Sequence, residues 1–338
     1  MLTVFLKGPS GKVDIMEKIK VYFLGSGDIA VPVLRELVNN DRIELSGVGT
    51  QIDRPAGRKN KLLPTPVGAA AAELGIHADK LPSVNDPVFL ERLRSLEVDM
   101  ILLVSFGQLL KKDILAIPRW GCINIHASVL PYYRGASPIV SAILAGEKET
   151  GVAFMKMVPA LDAGPVYQTF VRKLNGSEFS LPLEIELGEL AAAHTADVLH
   201  GIASGKLQPV EQDESLASFC SKIKKSDGII DWRDDAEKID AKVRAYFPWP
   251  GARCTVKTES KELAVTVTEC RMHPEIDAVP GTFLSTDKKS ILVACGKGAL
   301  EILSLYPAGG RVMKAADFRN GMRGESLQFP LPECCGGN

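Results

Sequence analysis

The chain has 338 residues, long enough for two domains with separate cores. Its 40 Lys and Arg against 41 Asp and Glu leave a formal charge of −1, which excludes a uniformly basic nucleic-acid coat and confines any RNA contact to local basic patches. Seven cysteines, an odd count without a CxxC pair or a Cys/His ligand spacing, argue against a disulfide framework or a metal site. They point to reduced thiols in a cytoplasmic protein. No apolar run approaches the roughly 18 residues of a membrane span.

Met1 to Glu17 has no signal-peptide core and reads as part of an extension, with Met16 an alternative start. Lys20–Gly25 is a short β-rich run ending in glycine, and Val31–Val38 then takes helical spacing. Ile43–Thr50 predicts the next strand, with helices at Val67–Leu74 and Pro87–Leu96. Asp99–Ser105 is almost continuously apolar, as in a strand covered on both faces. Cys122–His126 is a further strand and Pro138–Gly146 a helix. Val152–Val158 and Val166–Val171 pair across a turn at Asp162–Gly164, and a long helix covers Leu183–Ala203.

This alternation predicts an α/β fold with a Rossmann-like, doubly wound, mostly parallel sheet. After Lys206 the pattern changes. A helix at Asp234–Ala245 precedes five short strands, Ala252–Lys257, Leu263–Cys270, Gly281–Leu284, Ser290–Cys295 and Ala299–Leu305, which suggest a small β-barrel of the oligonucleotide-binding (OB) type. The expected divisions are an extension at 1–19, an α/β domain at 20–206, a polar linker at 207–227, an OB-like domain at 228–330 and a tail at 331–338.

Gly25-Ser26-Gly27-Asp28 stands where a dinucleotide fingerprint would begin but lacks its third glycine. It reads as a tight strand-to-helix turn, and a nicotinamide enzyme is a poor second reading. Asn124 and His126 are more informative. Two residues apart on one strand, they face the same side of the sheet, near the carboxyl end where open α/β sheets bind ligands. Alone, such a pair serves more often as a hydrogen-bonded structural feature. Here the charged glycine turn Arg134–Pro138 follows it, and Leu161-Asp162-Ala163-Gly164 adds an acid on a tight turn.

The runs Asn124–Pro131 (NIHASVLP), Arg134–Ile139 (RGASPI) and Leu161–Gly164 (LDAG) resemble the signature of 10-formyl-tetrahydrofolate-dependent formyltransferases. Gln51–Arg58 (QIDRPAGR), Ile230–Trp232 (IDW) and Phe247–Pro250 (FPWP) narrow the resemblance to the methionyl-tRNA branch, and the likeness runs from about Lys20 to Arg323. The chain departs from the family pattern at the first glycine turn and at Pro165, where an acid is usual.

The resemblance implies formyl transfer from 10-formyl-tetrahydrofolate to methionyl-initiator-tRNA, without a metal. It implies a catalytic trio of Asn124, His126 and Asp162, with Ser128, Val129, Leu130 and Pro131 lining the folate site. Phe106, Gln108, Leu109 and Leu110 lie in the segment whose backbone would meet the pterin, although a core role suits the apolar members equally. The loop from Thr50 to Pro66 carries Arg54, Arg58, Lys59 and Lys61 and is similar to the family's tRNA-acceptor loop. Lys222, Lys224 and Lys225, with Arg311, Lys314, Arg319 and Arg323 later, are further candidates for phosphate contact; a solvated face is the rival reading. The chain is expected to be a monomer off the membrane. Three alternatives stay open: a formyltransferase for an amino-sugar nucleotide, a formyl-folate hydrolase, and a tRNA-binding protein without catalysis.

Overall fold

Residues that are apolar at every successive position, not at alternate ones, select the centre of the first sheet. The computed structural model describes residues 18–56, 61–287, 289–322 and 325–332. Most of the predicted extension, most of the tail, Arg58, Lys59 and Arg323 lie outside the described residues.

In chain order come β1 (Ile19–Gly25), α1 (Ala30–Asn39), β2 (Ile43–Thr50), β3 (Arg54–Ala56), β4 (Lys61–Leu63), α2 (Pro66–Glu73) and β5 (Ala78–Lys80). Then follow α3 (Pro87–Ser95), β6 (Met100–Val104), α4 (Lys112–Leu115), β7 (Cys122–His126), β8 (Arg134–Gly135) and α5 (Pro138–Leu144). β9 (Glu149–Lys156), β10 (Val166–Lys173) and α6 (Ser180–Ala203) complete this stretch. Seven strands form one sheet in the order β10-β9-β7-β6-β1-β2-β5. From β5 to β7 neighbours run parallel, whereas β9 runs antiparallel to β7. All five residues of β6 are buried, because helices cover both faces of a parallel sheet and leave no wet side.

Side-chain bonds hold the short edge strand β5. The buried Tyr22 hydroxyl on β1 donates to Asp79 Oδ2 at 2.5 Å, and Arg92 Nη1 on α3 donates to Oδ1 at 2.6 Å. Burial, and then the Asp79 carboxylate, push the Tyr22 hydroxyl well above the usual phenol range. On α6, Gly188 admits the backbone of the first loop, since a Cβ there would lie 2.6 Å from the Ile29 carbonyl oxygen.

The later chain supplies β11 (Phe219–Cys220), α7 (Ala236–Ala245), β12 (Ala252–Lys257), β13 (Glu262–His273), β14 (Ile291–Ala294), β15 (Ala299–Pro307), β16 (Met313–Lys314) and α8 (Ala315–Gly321). β12 to β16 make a five-stranded antiparallel sheet in which β14 and β16 share one edge of β15. Trp232, Ile239, Val256, Leu300 and Phe329 sit in its core, the Trp232 and Phe329 rings meeting edge-on at 5.6 Å. The IDW run is therefore a packing motif, with Ile230 and Trp232 inside.

One expected strand is corrected. Gly281–Leu284 is not a regular strand: Phe283 bridges to Val293, and Gly281, Thr282 and Leu284 share backbone bonds with Ala294 and Leu292, but Gly281 at φ +83° and a turn from Val279 to Thr282 keep the pairing short. The fifth strand is β16. The stretch 207–227, expected as a polar linker, carries local pairing: Val210 pairs with Val166, and β11 pairs parallel to β8. Gly135 is required at that pairing, because at φ +120° its Cβ would meet the Cys220 carbonyl at 2.2 Å.

The described chain falls into two units. One holds the residues up to Tyr132, with Gly151–Phe170 and Ile185–Ala217; the other holds Tyr133–Thr150, Val171–Glu184 and the chain from Ser218 on. The reading at 20–206 did not separate Tyr133–Thr150 or Val171–Glu184, since non-local contacts decide their membership. One is the Phe179–Phe247 edge contact at 5.9 Å; another is the bond from Ser180 Oγ to the Phe247 carbonyl at 2.5 Å.

Candidate active site

β7 places Asn124 opposite Leu103 of β6 and Met155 of β9, and His126 opposite Ala153. The alternating Ile123 and Ile125, on the opposite face, are buried. The two-residue spacing puts the carboxamide and the imidazole on one face at the carboxyl end of the strand. Asn124 is half-buried and His126 only 6% exposed.

Asp162 comes to them on the turn between β9 and β10. Its Oδ2 lies 3.7 Å from His126 Nδ1, ion-pair range but beyond a hydrogen bond, and its side chain is also largely buried. Asp162 adopts φ +47°, a left-handed conformation that Asp tolerates better than most residues. Gly164 is equally particular, since a Cβ there would stand 1.8 Å from the Lys156 carbonyl oxygen. Gln212, which the sequence reading did not single out, clamps the turn: its Nε2 donates to the carbonyls of Asp162 at 2.8 Å and Gly164 at 2.7 Å. It lies 50 positions from Asp162 and belongs to no motif. Pro165 fits beside this turn, its carbonyl accepting the Lys156 N–H at 2.9 Å.

The expected folate-lining residues divide by burial. Ser128 is buried and its Oγ donates to the Tyr132 carbonyl at 2.6 Å. Leu130 packs on Ala153 and Met155, while Val129 and Pro131 are half-buried. After β6, Phe106 and Leu110 enter the core with Tyr22 and Leu103, whereas Leu109 is 70% exposed. The Gln108 amide accepts from the Val84 N–H at 2.7 Å and donates to the Leu81 carbonyl at 2.9 Å, so it braces the 81–84 loop.

Arg54 is exposed on β3, which pairs with β4 as a hairpin that includes Lys61. Lys222, Lys224 and Lys225 are exposed as well. Lys314 pairs with Glu269 at 3.6 Å, and the Arg319 guanidinium lies 4.8 Å from the Phe283 ring centre, so these two cations have local partners. A cleft of about 440 Å³ lies at the other end of β7, against Trp120, Gly121, Lys156 and Tyr167. Lys156 pairs there with Ile123, at the start of the strand, so the cleft does not contain the trio. Among the described residues no group of three or more His, Cys, Asp or Glu is arranged to hold a metal ion.

An amide and an imidazole that can donate to a carbonyl gaining charge, beside a carboxylate that can take a proton, suit attack on that carbonyl by an amine. The comparisons give that chemistry a family. The formyl transferase model matches residues 17–173, and the model of the formyl transferase C-terminal domain matches residues 222–323. The methionyl-tRNA formyltransferase of Methylococcus capsulatus is 40% identical over 302 residues, covering 89% of this chain and 96% of that protein. That of Halalkalibacterium halodurans is 38% identical over 320 residues, 94% of this chain and 99% of that one.

Among solved structures, HypX from Aquifex aeolicus in complex with tetrahydrofolic acid has a TM-score of 0.62 at 18% identity, covering 91% of this chain and 48% of its own. An N-formyltransferase from Helicobacter canadensis in complex with folinic acid and dTDP-3-aminofucose has a TM-score of 0.59 at 17% identity, covering 84% and 98%. These two likenesses concern the fold. The chain belongs to the formyl transferase family and, within it, to the methionyl-tRNA formyltransferases.

Proposed function

We propose that this chain transfers the formyl group of 10-formyl-tetrahydrofolate to the free amino group of methionyl-initiator-tRNA, with Asn124, His126 and Asp162 as its catalytic residues. The observation that carries the reading is the meeting of the two donors of β7 with a carboxylate 3.7 Å from the imidazole. The arrangement suits the substrates. The amine attacks the formyl carbon, the bond from that carbon to the folate nitrogen breaks, and the proton lost by the amine ends on that nitrogen.

Asn124 Nδ2 and a ring N–H of His126 donate to the formyl oxygen as it becomes tetrahedral. Asp162 takes the amine proton and passes it to the leaving nitrogen, and also orients the His126 ring. Val129 and Pro131, with the backbone of Phe106–Leu110, line the folate. The β3–β4 hairpin with Arg54 meets the RNA end, and Lys222, Lys224 and Lys225 meet phosphates. The chain acts in this reading as a monomer, and the free thiols suit the reducing cytoplasm. Among the described residues no helix is long and apolar enough to cross a membrane.

The test is incubation with methionyl-initiator-tRNA and 10-formyl-tetrahydrofolate, reading N-formylmethionine released from the tRNA. Asn124→Ala is expected to lower kcat by about 100- to 1,000-fold, and His126→Ala and Asp162→Ala by about 100-fold or more, with folding checked by circular dichroism. Near-normal turnover in a folded variant removes that residue from the mechanism. No formylmethionine from the unmodified chain ends the proposal.

A further inference from the structure

Gln51 stands directly after β2 and opens the QIDRPAGR run. Its half-buried carboxamide works in two directions. Nε2 donates to the Phe106 carbonyl at 2.5 Å, and Oε1 accepts from Nη2 of Arg54. Only this orientation of the amide gives the carbonyl a donor and the guanidinium an acceptor. The Gln51 backbone N–H donates to Ser26 Oγ at 3.2 Å, in the first glycine turn. Gly107 keeps the space clear: at φ +75° its Cβ would lie 2.5 Å from Gln51 Nε2. One residue thus joins three loops at the carboxyl ends of β1, β2 and β6.

We infer that Gln51 is a positioning residue that couples the folate segment at Phe106 to the RNA-facing hairpin at Arg54. The inference rests on the proposed roles of those two segments. A guanidinium has five N–H donors; Gln51 holds one of them and leaves others for phosphate oxygens. A phosphate that fixes Arg54 fixes the amide, and the amide fixes the Phe106 carbonyl. Folate seated on the other side restrains the same amide. Each substrate therefore finds its own segment better ordered when the other is bound, a coupling that is reciprocal by thermodynamic necessity.

Two substitutions separate the two ends. Gln51→Glu keeps an acceptor for Arg54 but replaces the donor to Phe106 with a second oxygen facing a carbonyl. Gln51→Ala removes both contacts. The readouts are KM for each substrate with the other saturating, kcat, melting temperature, and calorimetric affinity for 5-formyl-tetrahydrofolate with and without uncharged initiator tRNA.

Loss of one uncharged hydrogen bond corresponds to about three- to tenfold in affinity. Gln51→Glu is expected to weaken folate binding by that factor while the tRNA KM stays within about twofold. Gln51→Ala is expected to raise both KM values and abolish the effect of tRNA on folate affinity. In each, kcat falls by less than KM rises, unlike the trio variants. A lowered melting temperature with both KM values unchanged, a fall confined to kcat, or tRNA coupling intact in Gln51→Ala overturns the inference. If the chain formylates no tRNA, the earlier reading fails, and calorimetry of Gln51→Glu against the unmodified chain still decides the folate half.

Discussion

Replacing Gly164 by alanine tests whether the carboxylate of Asp162 must lie where the β9–β10 turn holds it. The new Cβ would start 1.8 Å from the Lys156 carbonyl oxygen, whereas such contacts essentially never fall below 3.0 Å. The turn and β9 must therefore separate by roughly 1.2 Å or more, and a misplacement of about 1 Å at a reacting group costs about 100-fold in rate.

Relaxation is opposed on the other side. Moving the turn stretches the two bonds from Gln212 to the Asp162 and Gly164 carbonyls and the bond from the Lys156 N–H to the Pro165 carbonyl. The strain is expected to lower stability by about 1–3 kcal/mol, as for other overpacked sites. Steady-state formylation should show kcat down about 100-fold with folate KM changed by less than about threefold, because the proposed folate wall at Val129 and Pro131 lies outside the turn. Gly321→Ala is the control: nothing lies within 4 Å of its Cβ position, so it should leave kcat intact and hold or raise stability. A folded Gly164→Ala enzyme with kcat within threefold of the unmodified chain would refute a positional role for Asp162.

Thr65 caps α2, its Oγ1 accepting the Gly68 N–H at 3.0 Å and lying 2.5 Å from Thr50 Oγ1. Thr65→Ala should cost about 1 kcal/mol in thermal or denaturant unfolding, with Thr65→Ser restoring most of it; identical melts would discard the cap as a stability element. Burial pushes the Cys122 and Cys254 thiols up to about 12 from the ordinary 9.0. The native chain therefore keeps protons that the unfolded chain sheds near pH 9, so this contribution to stability is complete below about pH 9 and is lost as pH rises towards 12. Urea melts across that interval should show it, and iodoacetamide at pH 8 should spare both cysteines until the chain unfolds; rapid native labelling of either would contradict their burial.

Much of the first sheet was legible because its signals are local. β6 is buried at every position and reads as an unbroken apolar run; β7 carries Asn124 and His126 with the period of two that puts them on one face. Elements whose stability comes from distant partners were harder to see. β5 has three residues and depends on Tyr22 and Arg92 gripping Asp79; β16 has two and exists because β15 offers an unpaired edge. Phe283, in a segment with good strand composition, bridges to Val293, but the left-handed backbone at Gly281 keeps that pairing too short for a strand.

What the residues determine on their own is chemistry and periodicity: which side chains can donate, accept or carry charge, and which positions share a face. Asn124, His126 and Asp162 stand out on those grounds and by family likeness. Their meeting is a tertiary fact. The approach of Asp162 to 3.7 Å from His126 depends on Gly164 passing the Lys156 carbonyl and on a glutamine 50 residues away. The amide of Gln51 reaches Phe106, 55 positions on, because parallel strands bring the loops at their carboxyl ends side by side. A periodic pattern records a residue's near neighbours, whereas these distances depend on how the crossovers stack the strands, which no short stretch of sequence contains.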